Sequence, residues 1–164
     1  MPRPTRTFAL AAALLASPAL AQSAPGVTLW GSVGTEAYIV PTATLGLSAG
    51  LGQFGGLRVA LRGTAAVGTV PLPDASGVLT LLGADVLLSG TGSGVNLYGG
   101  PSVAFVPGAR GLALGAVLGA QGSWGQGGWG WFAESKLRYA FSTDPGTPGG
   151  VVLPGGGFGV TYRF

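Results

Sequence analysis

WGWFAESKLRYAF, residues 129–141, holds two different compositions on alternate positions. Trp129, Trp131, Ala133, Leu137, Tyr139 and Phe141 form one set, and Glu134, Lys136 and Arg138 fall in the other. Successive side chains of a β-strand point to opposite faces, so period two is the signature of a strand with two unlike surfaces. The run is also long against the roughly 5–6 residues usual for a globular strand.

The same alternation recurs along the chain. Leu45, Leu47, Ala49 and Leu51 oppose Thr44, Gly46, Ser48 and Gly50; Leu57, Val59 and Leu61 oppose Arg58, Ala60, Arg62 and Thr64. Val95, Leu97, Val103 and Phe105 oppose Asn96, Tyr98, Gly100 and Ser102. Leu112, Leu114, Ala116 and Leu118 oppose Ala113, Gly115, Val117 and Gly119. The terminal GFGVTYRF (157–164) sets Phe158, Val160, Tyr162 and Phe164 against Gly159, Thr161 and Arg163. VTLWGSVGTEAY (27–38) reads as a first strand whose facing is left open. VLTLLGADVLLSG (78–90) is compatible with a helix, but as a strand it puts Asp85 with Gly83 and opposes them to Leu82, Ala84, Val86 and Leu88. Eight strands result. The stretches between them are rich in turn formers, including GQFGG, GTGSG, GSWGQGG, VPGAR and the long STDPGTPGGVVLPGG (142–156).

Only 8% of the 164 residues are charged, against roughly 25% in soluble domains. The 33 glycines follow no three-residue period, which excludes a collagen helix. Abundant Leu and Val at low charge also exclude a disordered chain. At the start, Arg3 and Arg6 precede a short apolar core from Phe8 to Ala16, and Ala19-Leu20-Ala21 supplies a small-x-small cleavage site. Residues 1–21 thus read as a secretory signal peptide cleaved after Ala21, too short in its core to span a bilayer. The remaining 22–164 form one domain. Arg58, Arg62, Arg110, Lys136, Arg138 and Arg163 stand there against Glu36, Asp74, Asp85, Glu134 and Asp144. So near-neutral a chain gives no footing for nucleic acid. Cysteine is absent, and with it any disulfide framework.

The faces decide the class. One is Leu, Val, Ala and aromatic; the other is Gly, Ser, Thr and Ala with nearly all the charge. Small residues with so few charges make a poor solvated exterior, so the apolar face is expected outside, against lipid, and the small polar face inside. Lipid cannot satisfy open sheet edges, so such a sheet must close. The expected fold is an all-β, eight-stranded, antiparallel up-and-down transmembrane barrel. With both ends of the chain on one side, Trp30, Trp124, Trp129, Trp131, Tyr162 and Phe164 fall at one membrane interface and Tyr38, Phe105, Tyr139 and Phe141 at the other, as two aromatic belts require.

With export signal, alternating runs and terminal GVTYRF in place, the chain resembles the small eight-stranded outer-membrane barrels of diderm bacteria, the OmpA-barrel and OmpX class. The likeness spans residues 22–164 as pattern. It implies location in the cell outer membrane, contact with outer-membrane lipid, and delivery by the barrel-assembly machinery. In that family a closing strand ending on an aromatic is the assembly signal, which maps here onto Gly159, Tyr162 and Phe164.

For the interior, Glu36, Asp85 and Glu134 are expected to meet Arg58, Arg62, Lys136, Arg138 and Arg163 in a lumen charge network. An eight-stranded barrel is just wide enough for side chains to fill, so a largely closed lumen is expected. A narrow passive pore through the small inward residues is the alternative. Neither histidine nor cysteine is present, which removes the usual general base, thiol nucleophile and soft metal ligand. An enzyme is not expected, nor any cofactor. A structural envelope role, with other envelope or surface-layer proteins as neighbours, is the first reading. A surface binding or adhesion role through the extracellular loops is the second, weakened by how short two of those loops are.

Overall fold

The computed structural model describes residues 26–37, 39–70, 77–92, 94–107, 111–142 and 149–164. Residues 1–21, read above as a signal peptide, and Tyr38, Asp74, Arg110 and Asp144 lie outside them. Eight strands follow in order: β1 (Val27–Glu36), β2 (Val40–Phe54), β3 (Leu57–Val70), β4 (Gly77–Ser89), β5 (Asn96–Phe105), β6 (Gly111–Ser123), β7 (Trp129–Ser142) and β8 (Gly150–Arg163). Each pairs antiparallel with the next, and β8 returns to β1 to close the barrel. The ambiguous 78–90 stretch is a strand, with Asp85 inside and Val86 and Leu88 outside.

The register shows how turn chemistry sets the hairpins. Phe54 pairs with Leu57, so the β2–β3 loop is the two residues Gly55-Gly56, both at positive φ (58° and 80°). That conformation matches the right-handed twist of the flanking strands and is open to glycine at no steric cost. This hairpin lies at the near end of the barrel, with Gly26 and Phe164.

One boundary differs from expectation. VVLPGG (151–156), read above as loop, belongs to β8, which runs from Gly150 and pairs along its length with β7. Proline normally argues against a strand interior because it cannot donate to the ladder. Here the β1–β8 pairing stops at Thr35↔Gly156, so Pro154 sits where β8 overhangs its other neighbour and no β1 carbonyl awaits an N–H.

The solvent-type inversion is plain in the side chains. Leu45, Leu118 and Phe158 on the outer wall are 65%, 64% and 68% exposed, while Arg62 and Asp85 inside are each 1% exposed. A surface so apolar is costly in water, and a buried charge is costly anywhere unless paired. The interior satisfies the second condition, as follows.

Candidate functional site: the braced lumen

Inward positions on β7 carry Phe132, Glu134, Lys136 and Arg138 in succession, and the residues opposite them on β8 are Gly159, Gly157, Gly155 and Leu153. Three large side chains thus face three positions that have none, which is how so narrow a cylinder admits them. The remaining partners come from the other wall: Arg62 on β3, Asp85 on β4 and Glu36 at the end of β1.

These six charges form a ring. Arg62 Nε donates to Asp85 Oδ2 at 2.9 Å, and its Nη1 reaches Glu134 Oε2 at 2.8 Å. Lys136 Nζ lies 3.1 Å from Glu134 Oε1 and 3.6 Å from Glu36 Oε1. Arg138 Nη1 is 3.3 Å from Glu36 Oε2, its Nε donates to Ser102 Oγ at 3.0 Å, and its Nη2 approaches Asp85 Oδ1 at 4.0 Å. Acid and base alternate around the circuit, Asp85–Arg62–Glu134–Lys136–Glu36–Arg138, and it crosses the lumen from the β3–β4 wall to the β7–β1 wall. Side chains removed from water this completely hold their charge only by such mutual pairing.

An aromatic layer covers the ring on its near side. The Arg62 guanidinium carbon lies 4.8 Å from the Trp30 ring centroid, a cation–π contact. Trp30 packs edge-on against Phe132 (4.8 Å) and Tyr98 (5.7 Å), and its Nε1 donates to Ser48 Oγ at 2.8 Å. Tyr98 ties the layers together by donating from its hydroxyl to Glu134 Oε2 at 2.8 Å. Leu87 and Val117 complete this buried cluster.

Several sequence expectations are corrected here. Trp30 is not an interface aromatic: it is 5% exposed and points into the lumen. Its alternation partners Thr28, Ser32 and Glu36 mark the inward face, and that parity was the available signal. Phe132, adjacent in parity to Glu134, was likewise missed. Arg58 and Arg163 do share the inward face, but both are exposed and make no ion pair with any described residue. They stand near the barrel mouth, below the aromatic layer, out of reach of the ring.

The other aromatics line the outer wall. Trp129, Tyr162 and Phe164 form an edge-to-face chain with 5.0 Å between successive centroids. Trp124, on the β6–β7 turn, is exposed at the same end, and Trp131 lies further along the wall, beside a shallow apolar trough over Gly31, Ala43, Ala65 and Ala133. Tyr139 and Phe141 sit toward the far end of β7. Within GVTYRF, Gly159 faces inward at the closing seam, while the Phe164 N–H bonds to the Val27 carbonyl at 3.0 Å.

No protein-family model matches the chain, and no curated protein does. Among solved structures it is similar to a chain from the de novo design of transmembrane β-barrels, with 12% identity over 87% of this chain and 98% of that one and a TM-score of 0.49. It is similar also to Neisserial surface protein A, NspA, with 19% identity over 85% of this chain and 95% of that one and a TM-score of 0.48.

Proposed function

We propose that this protein is an outer-membrane β-barrel with a structural role in the cell envelope, its lumen braced shut rather than open for transport. The carrying observation is the inversion itself, an apolar outer wall around a closed ring of six charges. The wall is suited to lipid, and the ring together with the aromatic layer fills the cross-section that a pore would need. Export through a signal peptide at residues 1–21 and insertion by the barrel-assembly machinery complete the reading.

The test is biochemical. The protein should fractionate with the outer membrane, resist salt extraction, and migrate differently in gels before and after boiling. In planar bilayers it should give no large, steady conductance. Recovery as a soluble periplasmic monomer overturns the membrane assignment, and stable porin-like currents overturn the closed lumen.

The terminus supplies a separate prediction. Phe164→Ala removes one aromatic from the near-end belt, at most about 1.5–3 kcal/mol of burial, so refolding into detergent should survive. In cells, loss of the terminal aromatic should reduce the outer-membrane level severely, with precursor or degraded protein accumulating. A short polar tail after Phe164 should reproduce the cellular defect. Normal insertion of both variants would leave GVTYRF with no role beyond that of a strand.

A further inference from the structure

Between the aromatic layer and the near end, the lumen opens into two adjoining cavities of about 380 and 300 Å³. The larger is floored by Trp30, Leu87 and Tyr98, so it ends blind against the layer that caps the charge ring. Thr28, Gln121, Arg58 and Arg163 line both cavities, Gln53 and Ser89 the first alone.

The side-chain charge lining these cavities is one-sided. No carboxylate side chain lines either cavity. Among the described residues, Glu36, Asp85 and Glu134 are all committed to the ring. Each of the ring's three cations has a carboxylate within ion-pair distance; Arg58 and Arg163 have none among the described residues. Two guanidinium groups therefore face this polar, dead-ended recess with no carboxylate of the described residues paired to them. Arginine forks match the planar, bidentate geometry of carboxylate and phosphate oxygens, and surrounding Thr, Ser and Gln side chains can complete the hydrogen bonding. The larger cavity also falls within the roughly 300–1,000 Å³ of small-molecule sites.

We infer that this vestibule is a binding site for a small dianionic ligand bearing carboxylate or phosphate groups, which enters from the near end and is held by Arg58 and Arg163. The ligand stops at Trp30 and Tyr98, so the site captures and does not conduct. The inference depends on the barrel's interior alone, and it stands or falls separately from the membrane assignment.

Calorimetric titration of the folded protein in non-ionic detergent at low ionic strength tests it, with succinate and inorganic phosphate as separate probes and succinamide as the uncharged control. Heat-modifiable gel migration of the same samples certifies that each variant is folded, since neither arginine supports the ring. Saturable binding of at least one anion is expected, with none for succinamide, and the two arms tell carboxylate from phosphate recognition. Arg58→Gln and Arg163→Gln should each weaken binding about tenfold, and the pair should abolish it. Absence of saturable binding to both anions, or binding unchanged in the folded double variant, overturns the proposal.

Discussion

Arg62→Met should cost about 3–5 kcal/mol of folding stability, the largest loss expected from any single side-chain deletion in this barrel. The substitution keeps much of the side-chain volume and removes the charge that bridges Asp85 to Glu134. Glu134 retains Lys136 and the Tyr98 hydroxyl. Asp85, 1% exposed, is left with Arg138 Nη2 at 4.0 Å. The damage therefore concentrates on one orphaned carboxylate, and Arg62→Met combined with Asp85→Leu should recover a large share of the loss. Urea titration of the protein folded into detergent micelles or lipid vesicles measures both. Arg58→Met, on the same strand and the same face, should leave the midpoint nearly unchanged. Equal losses at positions 58 and 62 would refute the ring as the energetic centre of the lumen.

Gly159→Val should prevent closure altogether. A side-chain carbon at this position would run into the Gly31 carbonyl oxygen and come within 2.7 Å of the Ser32 backbone and Cβ. These atoms belong to the partner strand at the closing seam, where Ser32 pairs with Gly159. Neither can move aside without breaking β1–β8 hydrogen bonds, and a barrel without its seam exposes two full strand edges. The variant should show no heat-modifiable band and should aggregate on refolding. Gly63→Ala is the control, because a Cβ there meets nothing within 4 Å. A normally folded Gly159→Val protein would mean that the seam tolerates wider strand separation than the backbone contacts imply.

Alternation along a strand reports which face a residue occupies and is silent about its height in the barrel. The outer and lumen faces were therefore legible wherever a run was long, as in 44–51 and 129–141. Arg58 and Arg163 were placed on the correct face and in the wrong company, because only the inter-strand register fixes which charges meet at one level. Trp30 misled for a different reason. An aromatic near a strand end fits an interface belt, but parity with Glu36 outranks position along the strand. The β8 boundary was hidden because Pro and Gly ordinarily mark turns; the overhang past β1 that makes Pro154 tolerable is a tertiary fact. The six ring residues were among the eight charges expected to meet in the lumen, whereas the exclusion of two, the order around the circuit, and the glycine stripe on β8 that makes room for it depend on the register.

The ring has an electrical consequence. Arg62, Lys136 and Arg138 balance Glu36, Asp85 and Glu134, so the plug as a unit carries no formal net charge. A membrane potential does work on a displaced element in proportion to its net charge, about 2.3 kcal/mol per elementary charge per 100 mV. Moving this plug as a body along the barrel axis would thus gain nothing from the field in either direction. A single unpaired arginine at this level would feel such a field; the balanced ring, in a bilayer, would not.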